Sequence, residues 1–182
     1  SARGDLVDRN GELLAADLLH YGLYVDPREI WDAGETRKAL LAALPDLTPE
    51  RLERALRSGR RSYLLGALTP EVRARVNDLG LPGVSFEPEQ KRVYPLGYTA
   101  AHLIGFVDSG GQGLAGAEAA LDQDIHDAAA GHRTVPLSID LRIQAATEDE
   151  LYKAVAQFRP RGAVAVVVNV HTGEILSLAN YP

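Results

Sequence analysis

Short apolar runs broken by polar turn residues open the chain. A three-to-four-residue apolar spacing dominates its middle, and a nearly unbroken apolar run closes it. RGDLVDRNGELLA (Arg3 to Ala15) reads as strand, turn, strand, with Asn10-Gly11 supplying the positive φ of a tight hairpin. YGLYVDP alternates and is rich in aromatic and β-branched residues, which predicts a strand ended by Pro27. Leu40, Leu41 and Leu44 share one helical face. Thr48-Pro49 and Thr69-Pro70 each set a capping hydroxyl before a proline at the first helical position, opening PERLERALRS and PEVRARVNDL. SYLLGAL and GVSFEP read as strands of the same β/α block.

Beyond residue 90, KRVYPLGYTAAHLIGFVD predicts a strand, a Pro-Gly bend and a short helix or strand around His102. SGGQGLAGAEAALDQDI is a glycine-rich loop running into a helix, and RTVPLSIDL reads as a strand. LRIQAATEDELYKAVAQF predicts a helix capped by Ser138 or Asp140, with Ile143, Ala146, Leu151 and Val155 near one face. The closing GAVAVVVNVHTGEILSLANYP predicts a hairpin turning at His171-Thr172-Gly173. VAVVVNV is apolar on both faces, as a strand covered on both sides would be, and Glu174 and Ser177 mark the wetter positions of the return strand.

Composition narrows what such elements can do. With 182 residues, 46% apolar and 24% charged, the chain is globular and long enough to bury a core. A net charge of −6 gives no overall basic footprint for nucleic acid. Cysteine is absent, which removes disulfides, thiol nucleophiles and cysteine metal sites. No run of 18 apolar residues is available to span a membrane. Position 1 is Ser and Met is absent, so both ends are treated as cuts, with any membrane anchor or further domain expected outside this sequence.

Candidate chemistry is sparse. His20, His102, His126, His132 and His171 fall at no metal-ligand spacing, and neither a metal nor a cofactor is expected. GGQGLAG lacks the GK[ST] ending of a phosphate loop. The Arg3-Gly4-Asp5 tripeptide sits where a strand starts and reads as chance. Asp122, Asp124 and Asp127 read as carboxylates answering a helix dipole. None of the seven serines has a lysine three residues on, and no K-T-G occurs, so no catalytic constellation is visible.

Three ordered stretches carry a family resemblance. RGDLVDRNGELLA resembles the opening RGxIxDRxGxxLA pattern of class B penicillin-binding proteins, the bacterial cell-wall transpeptidases. RVYPLGYTAAHLIGFV resembles their R-x-YP-x-G…AH-x-x-G pattern, and GLAGAE their G-x-x-G-x-E pattern. LSIDLRIQAATEDEL and AVAVVVNVHTGEILSLANYP look like the first helix and hairpin of the transpeptidase domain, and GFVDSGGQGLAGAE is close to the septal, division-type branch. The segment between Glu118 and PLSIDL is shorter than in many relatives.

The resemblance implies an elongated α+β module with a discontinuous pedestal core (1–27 and 89–139), an inserted head lobe (28–88) and the start of a transpeptidase domain (140–182). It implies a non-catalytic scaffold that contacts other division proteins, in a parent anchored in the inner membrane and facing the periplasm. That parent would cross-link peptidoglycan and be acylated by β-lactams. Two alternatives stay open: an allosteric part of the enzyme, or a free-standing periplasmic binding domain. The structural and interaction residues implied are Arg3, Gly4, Asp8, Arg9, Gly11, Arg92, Tyr94, Pro95, Gly97, His102, Gly105, Gly113, Gly116 and Glu118. Arg3 or Arg92 is expected to pair with Glu118, tying the first strand to the glycine-rich loop. Self-association is expected through the 163–180 hairpin, whose edge would be unpaired.

Overall fold

The structure, a computed structural model, describes residues 2–182. It is α+β, as the sequence predicts, and its chain divides into two compact units. One comprises the residues through Asp17 together with Arg92–Pro182; the other is Leu18–Lys91.

In the first unit, β1 (Asp5–Val7) pairs antiparallel with the start of β2 (Leu13–Val25) and parallel with β5 (Thr134–Pro136). Between them lie three short helices: α4 (Ala101–Ile104), α5 (Gly116–Ala120) and α6 (Asp122–Ala130). Leu6, Leu14, Ile104, Ile125 and Ile139 form the buried core. The strand expected over RTVPLSIDL is confined to three residues. Pro136 has no N–H to donate, and the chain leaves the ladder to cap α7 (Leu141–Phe158) through Asp140, whose side chain accepts from the Arg142 N–H. Ser138, the other candidate cap, instead donates to the Ile175 carbonyl at 2.7 Å.

β6 (Ala163–Val168) and β7 (Ile175–Tyr181) make the closing hairpin. Its turn is closed by Gly173 N–H donating to the Asn169 carbonyl, with Gly173 at φ 77°. α7 packs on the hairpin through Gln144 and Leu151 rather than through Ala146, which is exposed. Gln144 is fully buried, and its amide both donates to the Leu178 carbonyl (2.8 Å) and accepts from the Leu178 N–H (2.9 Å). Ser177, expected to be wet, is also fully buried, because its hydroxyl meets that of Thr147 at 2.7 Å. Val164, Val166 and Val168 remain 67%, 47% and 46% exposed, so one face of β6 is bare.

In the second unit, the later part of β2 pairs antiparallel with β3 (Ser62–Leu68), and β4 (Val84–Val93) also pairs with β2. β2 is one continuous strand where the sequence suggests two. Around the sheet stand α1 (Ala33–Ala43), α2 (Pro49–Leu56) and α3 (Pro70–Asn77). Both predicted Thr-Pro starts form, with Thr48 and Thr69 side chains accepting from the N–H groups of Arg51 and Val72. Leu23, Val25, Leu40, Leu52, Leu64 and Val76 supply this core.

Candidate functional site: a buried arginine–carboxylate hub

The N-terminal Arg3, the strand-end Arg92 and Glu118 on α5 converge in the interior of the first unit. Glu118 is completely buried, and Arg3 and Arg92 are 4% and 9% exposed. Each carboxylate oxygen serves one arginine. Oε2 accepts from Arg3 Nη2 at 2.7 Å and Nε at 3.1 Å, and Oε1 accepts from Arg92 Nε at 2.8 Å. Arg92 Nη1 also donates to the Gly4 carbonyl (2.9 Å) and to Asp17 (3.3 Å). Arg3 Nη1 donates to the Gly111 carbonyl (2.7 Å) and to Asp122 (2.5 Å). Charges removed from water this completely persist only when paired and hydrogen-bonded, and the guanidinium forks meet that need here except at Arg92 Nη2, which is buried without a partner.

The electrostatics follow the same contacts. Burial works against the charge on Arg3, but bonds to Asp122 and Glu118 outweigh it and hold its pKa above the ordinary arginine value. Arg3, then the Gly113 N–H, holds the Asp122 carboxyl below its usual range. The buried Tyr94 hydroxyl completes no hydrogen bond. Burial first, and then the charge of Glu118, push its pKa up to about 12.

Glycines let the backbone close on this hub. A Cβ at Gly105, whose φ is 77°, would sit 1.9 Å from the Ala115 carbonyl oxygen. One at Gly113 would sit 2.0 Å from that of Glu118 itself. Gly4 donates its N–H to Ile125 O at 2.8 Å, seating the first segment on α6, and Gly116 lies against Leu103 and Gly105.

A second junction forms at Asp8, which is 1% exposed. Its Oδ1 accepts from the N–H groups of Asn10 (2.7 Å) and Glu12 (2.9 Å), closing the turn that contains Gly11. Its Oδ2 accepts from the Leu141 N–H at 3.0 Å, at the first residue of α7. Burial raises the Asp8 pKa, but the N–H donors of Leu141, Glu12 and Asn10 overcome this and leave it lowered. Arg9 N–H donates to the Ile139 carbonyl at 2.9 Å, and the Arg9 side chain reaches Glu174 at 3.6 Å.

The predicted residues therefore separate. Arg3, Gly4, Arg92, Tyr94, Gly105, Gly113, Gly116 and Glu118 gather at the hub, and Asp8, Arg9 and Gly11 at the α7 junction. Pro95, Gly97 and His102 are exposed and join neither. Sequence reasoning missed Asp17, Asp122 and His126, whose Nε2 lies 3.2 Å from Arg3 Nη1. Asp122 was read as a dipole partner, yet it follows Glu118 by four positions, a spacing that could have placed both carboxylates together. Among the described residues no His, Asp and Glu cluster could hold a metal, and no helix is long and apolar enough to cross a membrane.

This arrangement of ordered glycines, arginines and one buried glutamate belongs to a known class of module. Residues 1–130 match the penicillin-binding protein dimerisation domain family, and the chain belongs to that family. All 182 residues align at 62% identity with the probable peptidoglycan D,D-transpeptidase FtsI of Caulobacter vibrioides, covering 31% of that protein. All of the chain aligns at 34% with the peptidoglycan D,D-transpeptidase FtsI of Escherichia coli, covering 36% of it. The chain thus spans about a third of the length of these relatives. The crystal structure of Penicillin Binding Protein 2X from Streptococcus thermophilus shares the fold, with a TM-score of 0.68 at 21% identity over 100% of this chain and 34% of that one.

Proposed function

We propose that the chain is the non-catalytic scaffold of a septal peptidoglycan D,D-transpeptidase, built to hold and present a catalytic domain rather than to react. The observation that carries this reading is the Glu118 hub. It devotes buried charges of the first unit to joining distant parts of the chain, and its carboxylates are taken up by arginines with no serine nucleophile among them. Identity to two D,D-transpeptidases named FtsI supports the assignment of the parent, and the absence of S-x-x-K and K-T-G from the sequence supports the non-catalytic role.

In this reading the pedestal core is 1–27 with 89–139, the head lobe is 28–88, and 140–182 begins the transpeptidase domain. The unpaired edge of the hairpin receives further strands of the parent's catalytic sheet, whose domain also covers the bare face of β6, or a second copy takes their place when those are absent. The parent is anchored in the inner membrane, works on the periplasmic side and contacts other division proteins through this module.

The Asp8 junction supports a second reading, in which the module regulates the enzyme, because it couples the first turn directly to α7. Acylation kinetics separate the two. In the longer parent protein, Asp8→Asn should leave the rate of labelling by a fluorescent penicillin within about twofold of wild type at temperatures where both are folded. A tenfold slowing would favour regulation over scaffolding, since a tenfold change in rate corresponds to about 1.4 kcal/mol in the barrier.

A further inference from the structure

The second unit carries a concentration of positive charge opposed to the net −6 of the chain. Arg51, Arg54, Arg57, Arg60 and Arg61 fall on α2 and the turn leading into β3. Two of them are committed internally. Arg57 faces Glu53 at 3.9 Å, while Arg61 pairs with Glu87 at 2.8 Å and stacks over Tyr24 at 3.9 Å. Among the described residues, Arg51, Arg54 and Arg60 have no carboxylate within ion-pair distance.

These three arginines line a cleft of about 570 Å³ with Ser58, Ser62 and Tyr63, and Glu50 is the one acidic side chain on its wall. A second cleft of about 620 Å³ flanks Arg54 on the Glu53 and Arg57 side, so a groove follows the exposed side of α2. Its rim is ordered: the Ser58 hydroxyl donates to the Ala55 carbonyl at 2.7 Å and meets the Ser62 hydroxyl at 2.8 Å. Tyr63, 46% exposed and edge-on to Tyr24, supplies an aromatic wall.

We propose that this groove docks an acidic, extended segment of a partner protein, with its carboxylates taken by Arg51, Arg54 and Arg60. Unpaired guanidiniums on α2 and on the turn that follows it match carboxylates spaced along a peptide, each by a bidentate fork. An anionic membrane surface fits less well. Surface-binding helices set apolar side chains beside their basic ones, but Leu52 and Ala55 on α2 are buried in the unit's own core. A phosphate cradle gathers free backbone N–H groups, whereas the Arg60 N–H at this turn is taken by Ser58.

The test is fluorescence anisotropy of a fluorescein-labelled peptide of alternating Glu and Ser, titrated with the 182-residue chain at low and at physiological salt. Wild type should bind, more weakly as salt rises. The charge reversal Arg51→Glu/Arg54→Glu/Arg60→Glu should weaken binding by at least roughly tenfold, as loss of charge-assisted bonds requires. Arg75→Glu, exposed on α3 outside the groove, should bind as wild type does. All four positions are exposed, and unchanged circular dichroism and melting curves establish that the variants fold. No binding by wild type, equal affinity in the triple variant, or binding confined to phosphatidylglycerol vesicles would overturn the proposal.

Discussion

Glu118 accepts from two arginines that lie 115 and 26 positions away in sequence, and it has no exposed surface. Removing its charge leaves two buried guanidiniums with only Asp122 and Asp17 to balance them, which costs more than losing an exposed pair. Glu118→Gln should therefore lower unfolding stability by about 3–5 kcal/mol, read from urea or thermal melts. A change under about 1 kcal/mol would show that the hub is not what holds the first unit together. Asp8 gives a pH signature of opposite origin. Its folded pKa is lowered below 3.8, so its contribution is fully present above that value and is lost as pH falls through the lower, folded value. Acid titration of stability should be less steep below pH 4 in Asp8→Asn than in wild type, and parallel curves would count against the α7 junction.

At the scale of elements, close backbone approach decides whether the hub can form. α4 and α5 meet where Gly105 faces the Ala115 carbonyl, and there is no side chain to retract. Gly105→Ala must strain a positive φ and push backbone apart, so a loss of about 1–3 kcal/mol in stability is expected. A melting temperature equal to wild type would mean the two helices have slack. Elements with a local cause were legible in advance: the Thr48-Pro49 and Thr69-Pro70 starts, the Gly173 turn and the Asp140 cap. Those decided by distant partners were not. β2 reads as two strands because Leu18, Leu19 and His20 break the alternation, yet the ladder carries it through. Gln144 sits where a helical face predicts an apolar residue, because its amide completes the hydrogen bonding of Leu178. The Arg–Glu118 pairing was legible as a chemical need, but that both arginines satisfy it, with Asp17 and Asp122 attached, depends on contacts 14 to 119 positions apart.

For the molecule as a whole, the buried charges join segments and the free charges face solvent. Membership of the penicillin-binding protein dimerisation family fits that division, and the chain spans about a third of the length of its D,D-transpeptidase relatives. The central claim is that these 182 residues scaffold but do not acylate. Incubation of the chain with a fluorescent penicillin, followed by denaturing electrophoresis and mass spectrometry, tests it directly. The account predicts an unmodified mass and no fluorescent band at any concentration that labels an intact transpeptidase. A covalent adduct on any of its serines would contradict it.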